Sequence, residues 1–136
     1  MALALALALA LVDCSNKKEM RDFRKYDIWN ESIDFSTNIY KITSTFPKYE
    51  IYGLCDQLQR ASVSISSNIA EGCSRSSEKE FAHFLEMSIG SAFEVESQLL
   101  IAKKLGYIDE EQYDCMIATL SSIERQIHSL MIKLRN

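Results

Sequence analysis

This chain of 136 residues holds one proline (Pro47), four glycines, one tryptophan and two histidines. Strands need frequent turn punctuation, so long stretches free of Gly and Pro exclude most all-β architectures and favour helices. The glycines Gly53, Gly72, Gly90 and Gly106 are isolated. No glycine-rich loop exists to cradle a phosphate. Cys14, Cys55, Cys73 and Cys115 form no C-x-x-C pair, which argues against a zinc ribbon or a redox motif. Free thiols fit a reducing cytoplasm, and a chain of this size can stabilise a core without disulfides. Charge of one sign is also missing. Residues 13–60 carry eight basic and eight acidic side chains, and residues 61–136 carry seven and eleven, for a net charge of −4. The totals announce no simple basic face for nucleic acid, although a local patch remains open.

Met1 to Val12 reads MALALALALALV. That run is shorter than the ~20 apolar residues a spanning helix needs. It lacks a basic flank, and Asp13 stands where a lipoprotein box has a small residue before its Cys. Residues 1–21 are therefore set apart as an atypical leader or tail, and residues 22–136 are read as one domain.

Helix signals fill that domain. From Tyr26 to about Thr45, Trp29, Ile33, Ser36, Ile39/Tyr40 and Thr43 recur at steps of three and four. Phe46-Pro47 ends this helix. A second helix, from about Tyr49 to Ala70, places Leu54, Leu58, Ala61, Ile65 and Ile69 on one side, with Gly72 expected as its C-terminal stop. Ser77-Glu78-Lys79-Glu80 is a capping box. It opens a third helix with Phe81, Leu85, Ser88, Ala92, Val95, Leu99 and Ala102 in register, closed by Gly106 after Lys103 and Lys104. Asp109 caps a fourth helix, whose stripe runs from Tyr113 through Leu120 and Ile127 to Leu134. Short connections between long amphipathic helices predict an all-α, antiparallel up-down-up-down four-helix bundle. Ala61 to Ser66 alternates like a strand, but a lone strand has no partner here. Small residues there and at Gly90-Ser91-Ala92 predict a close contact between helices two and three.

The segment RASVSISSNIAEG, then Ser74-Arg75, then FAHFLEMSIGSAFEVESQL resembles the bacterial four helix bundle family, also called the 23S rRNA intervening-sequence protein family. Upstream the likeness takes in Trp29, Tyr40, Thr43, Phe46-Pro47, Glu50, Gly53-Leu54 and Gln57; downstream it reaches Leu105-Gly106-Tyr107-Ile108. It covers roughly residues 22–108 strongly and the last helix loosely. The resemblance implies a cytoplasmic bundle that assembles as a homopentamer. A related branch, strongly basic, binds nucleic acid and a reverse transcriptase as an accessory protein.

The family-motif positions are Arg60, Asn68, Glu71, Gly72, Arg75, Gly90, Ser91 and Glu94. One reading makes the charged ones interhelical ion pairs that fix register, with Arg60, Arg75 or an arginine from a neighbouring subunit reaching Glu94. The other makes them a binding surface. Lys17, Lys18, Arg21, Arg24 and Lys25 are candidate nucleic-acid contacts, since a ring would gather them at one end. Glu80-x-x-His83 has the spacing of a bundle metal ligand pair, but its only companions, Glu124 and His128, are four apart and His83 points off the core stripe. A serine nucleophile among Ser62 to Ser67 would need a general base that neither histidine is placed to supply. No catalysis, cofactor, metal, membrane or small-molecule substrate is expected. Surplus apolar residues on the third helix (Phe84, Met87 and Phe93) instead predict self-association.

Overall fold

The structure, a computed structural model, describes residues 20–136, so the Ala-Leu run, Cys14, Lys17 and Lys18 lie outside the described residues. Four helices carry the fold: α1 (Asp27–Thr43), α2 (Leu54–Cys73), α3 (Glu78–Lys104) and α4 (Glu110–Arg135). Short 3₁₀ turns at Phe23–Lys25 and Lys48–Glu50 precede α1 and α2. The residue pairs that meet between neighbouring helices run in opposite order. Ser36 Oγ donates to the Ser62 carbonyl at 2.9 Å and Gln59 Nε2 to Thr43 Oγ1 at 3.1 Å, which sets α1 antiparallel to α2. Ser88 Oγ donates to the Ile65 carbonyl at 2.8 Å while Ser64 and Ser91 share a 2.8 Å hydroxyl bond, which sets α2 antiparallel to α3. Lys103–Glu110 at 3.7 Å and Arg135–Glu86 at 3.0 Å do the same for α3 and α4. The described residues form a four-helix bundle.

Local chemistry explains the helix ends. Ser77 Oγ accepts from the Glu80 N–H at 3.1 Å, and two acidic residues in that first turn suit the positive end of the helix. The reciprocal half of the box forms at α4 instead. There Asp109 accepts from the Gln112 N–H and the Gln112 side chain accepts from the Asp109 N–H. The start of α2 lacks a cap at Gly53, and Glu50 substitutes, its carboxylate accepting from the Leu54 N–H at 2.9 Å. Gly106 adopts φ +78° after α3, a left-handed stop that only glycine takes cheaply.

Two expectations change. Gly72 does not stop α2, which continues through Cys73 to a right-handed cap at Ser74. Its role is steric: a Cβ on Gly72 would sit 2.9 Å from both Phe81 Cδ1 and Phe84 Cβ, so α3 can approach only because that atom is missing. The stripe read on α1 is also displaced. Its buried residues are Ile28, Ser32, Phe35, Ser36, Ile39 and Thr43, while Ile33 and Tyr40 are 38% and 49% exposed and Trp29 is half-buried. Both rows have helical spacing, so periodicity alone could not choose between them. The stripes of α2 and α3 lie in the core as expected, with Leu58, Ile65, Ile69, Phe81, Leu85 and Leu99 fully buried. Each such side chain contributes about 1.5–3 kcal/mol.

Candidate functional site

The small residues of α2 and α3 bring the motif positions to one seam, where they separate into three groups. In the middle, Ser64, Ser88 and Ser91 replace bulk with hydroxyl bonds between the helices, and Asn68 donates to both the carbonyl and the hydroxyl of Ser64 at 2.9 and 3.0 Å. A buried amide needs such partners, so Asn68 serves the packing.

At the α2–α3 turn, Arg75 Nη2 meets Glu71 at 2.9 Å and its guanidinium lies 4.6 Å from the Phe84 ring centre. Arg75 Nε is buried with no partner among the described residues. The Arg75 carbonyl accepts from Arg21 Nη1 at 2.7 Å, and the Arg21 guanidinium stands 4.8 Å from the centre of the Phe81 ring. Arg21 therefore ties the N-terminal segment to the turn. Nearby, burial pushes the Cys73 thiol up to about 11, with Arg21 opposing the effect.

On the outer flank, Arg60, Glu94, Gln57, Gln98, Ser64, Ser91 and Ala61 line a groove of about 380 Å³. Here the ion-pair expectation fails. Arg60 turns back to Asp56 at 3.0 Å, one helical turn away on α2, and is 81% exposed. Glu94 is exposed and makes no ion pair among the described residues. The nearer carboxylate on its own helix captures the arginine before it spans the seam. Gln98 Oε1 is buried beside this groove with no partner among the described residues. Gly90 stands exposed on the outer side of α3.

The other sequence candidates scatter. Arg24 pairs with Asp22 at 3.3 Å and Lys25 is exposed on the 3₁₀ turn. His83, His128 and Glu80 all face solvent. Among the described residues no three His, Cys, Asp or Glu side chains come close enough to hold a metal ion. None of their helices is long and apolar enough to cross a membrane. Two features escaped the sequence. The hydroxyls of Tyr49 and Tyr107 bond at 3.1 Å across the bundle end, which pushes Tyr107 up to about 12. Between α3 and α4, burial and then Glu96 raise the Glu124 carboxyl above its ordinary value, and Glu124 Oε1 is buried without a hydrogen-bond partner among the described residues. Tyrosines 58 residues apart carry no local signal, and the carboxylates share a face only once the α3–α4 register is known.

With this geometry in hand, the family model described as 23S rRNA-intervening sequence protein matches residues 24–129. The chain belongs to that family. The match runs past residue 108 into α4, further than the sequence motifs reached. A solved protein of unknown function from the S23 ribosomal protein family of Bacteroides thetaiotaomicron VPI-5482 superposes with a TM-score of 0.69 at 24% identity. The alignment covers 76% of this chain and 97% of that one, and at this identity it speaks for the fold alone. Among curated proteins, no relative matches the chain.

Proposed function

We propose that this protein is a non-enzymatic, cytoplasmic helical bundle that acts as a homo-oligomeric interaction or scaffold protein, with five copies as its assembly. The observation that carries the reading is the apolar surface left over once the core is complete. Met87, Phe93, Leu100, Ile101 and Leu105 on and just after α3 are all exposed, although a solitary bundle needs only one apolar stripe per helix. An apolar surplus of this kind marks interaction surface. The charged motif positions support the same reading, because Arg60 and Glu94 lie on the surface and not in the core. Five copies follow from the family resemblance. Light scattering across a micromolar dilution series tests the proposal: a mass that stays several-fold above the 15.5 kDa chain supports it, and a stable monomer refutes it.

A second reading, an RNA- or DNA-binding accessory protein, draws on the exposed Arg24 and Lys25 at the bundle end and on the family's link to 23S rRNA. Arg21 belongs less to such a surface, because its guanidinium is engaged at the α2–α3 turn. Phosphate contacts release counterions, so structured RNA should bind at low salt and fall off steeply as salt rises. No binding at low ionic strength removes this alternative.

A further inference from the structure

The register of the α2–α3 seam sets two opposite charges level with one another, yet they do not pair. Counted from the Ser64–Ser91 bond, Arg60 stands four residues back on α2 and Glu94 three residues forward on α3. The helices are antiparallel, so both steps run the same way, and at ~1.5 Å per residue the two positions agree to within about 2 Å along the bundle. Seven residues from the serines on either helix, Gln57 and Gln98 form the next level. All four side chains line the groove of about 380 Å³.

The free bonding capacity of that groove is polarised. Arg60 gives only its Nε to Asp56, at 3.0 Å. Its Nη1 and Nη2, an edge suited to a carboxylate, have no partner among the described residues. Across the groove, Glu94 makes no ion pair among the described residues. Gln98 Oε1 is an acceptor buried in the same wall with no partner among them, a cost that a donor would relieve. The serine end is already satisfied. Ser91 donates to the Met87 carbonyl at 3.2 Å and accepts from Ser64, whose oxygen also takes the Asn68 amide at 3.0 Å. One wall therefore asks for an anion, and the other for a cation and a further donor. Closely packed helices stand about 8–10 Å apart, so one small molecule reaches both walls. An α-amino acid carries an anion and a cation on a single carbon; the interior of a peptide and a phosphate chain carry no such pair.

We propose that this groove binds a free α-amino acid. The carboxylate meets the Nη edge of Arg60 and the ammonium meets Glu94. A hydrogen-bond donor on the ligand's side chain reaches Gln98 Oε1 after a small swing of that flexible amide. The volume lies near the lower end of small-molecule sites, as a ligand of this size requires. No small molecule is expected from the sequence, because the level shared by Arg60 and Glu94 exists only once the seam has formed. The site needs a single chain, so it goes beyond the self-association reading and is tested separately from it.

Isothermal titration calorimetry of the full chain against L-glutamine, whose side-chain amide supplies the donor, should show saturable binding below about 10 mM. Glutaramate, the same molecule without its ammonium, should bind at least about tenfold more weakly, since it brings Glu94 no cation. Glu94→Gln should lower L-glutamine to the level of glutaramate, and Arg60→Gln should weaken it at least about tenfold. Both variants alter exposed side chains and should keep the helical circular dichroism. L-Leucine, which keeps both charges and lacks the side-chain donor, should bind several-fold more weakly than L-glutamine, and Gln98→Leu should erase that difference. No saturable heat with the unaltered chain, or L-glutamine binding that both charge variants leave unchanged, overturns the site. Neither result bears on assembly, and a monomeric chain that binds L-glutamine in this pattern removes the self-association reading while the site stands.

Discussion

Two glycines on adjacent helices should respond oppositely to the same substitution. At Gly72, the methyl of Gly72→Ala would enter at 2.9 Å from Phe81 Cδ1 and 2.9 Å from Phe84 Cβ. Neither neighbour can easily retreat. The Phe81 ring is fully buried, and the Phe84 contact is a Cβ tied directly to the backbone of α3. The helices must part, and overpacking of this kind costs about 1–3 kcal/mol. The helix-propensity gain is at most about 1 kcal/mol, and less in the last turn where Gly72 lies. The net result is a loss of stability. At Gly90, the methyl meets nothing, so Gly90→Ala should raise the stability of the isolated chain by roughly 0.5–1 kcal/mol. For a domain of this size each kcal/mol moves Tm by roughly 3–6 °C. Urea unfolding read by the single tryptophan, Trp29, and by far-UV circular dichroism at high dilution would measure both shifts. A stabilising Gly72→Ala would refute the close-approach account of the α2–α3 seam.

Glu94→Ala should change stability by less than ~1 kcal/mol in urea unfolding, because the carboxylate is exposed and makes no ion pair among the described residues. Ser88→Ala removes the buried 2.8 Å bond to the Ile65 carbonyl and should cost about 1 kcal/mol in the same assay. Glu124 is raised by burial and by Glu96, so its folded form resists ionisation. Wild-type stability should therefore fall as pH rises from the ordinary glutamate range through the raised folded value. Glu124→Gln should then raise Tm above that window and leave it unchanged below. Among the described cysteines, alkylation followed by peptide mapping should label Cys115 first; Cys55 and Cys73, buried and with their thiols pushed up by that burial, should react only on unfolding.

The bundle was legible in the sequence because each level of signal agreed. Pro47 and Gly106, the Ser77 and Asp109 caps and the α2 and α3 stripes all point to the same four helices. The α1 stripe misled because that helix carries two rows of apolar residues, and a period of 3.6 does not say which one faces inward. Gly72 misled for a related reason: a helix-ending glycine and one that admits a neighbour look alike until the neighbour's position is known. The candidate site was legible as a set of positions and not as a set of partners. Arg60 and Glu94 were expected to meet within the chain, yet Asp56 lies four residues from Arg60 and outcompetes a carboxylate across the seam. Only the folded structure shows Gly90 open and Gln98 Oε1 buried without a partner among the described residues.

Self-association is the central claim, and native mass spectrometry of the full chain at micromolar concentration tests it most directly. The account predicts one dominant assembly near five times 15.5 kDa. A spectrum dominated by the 15.5 kDa species for the unaltered protein would contradict it.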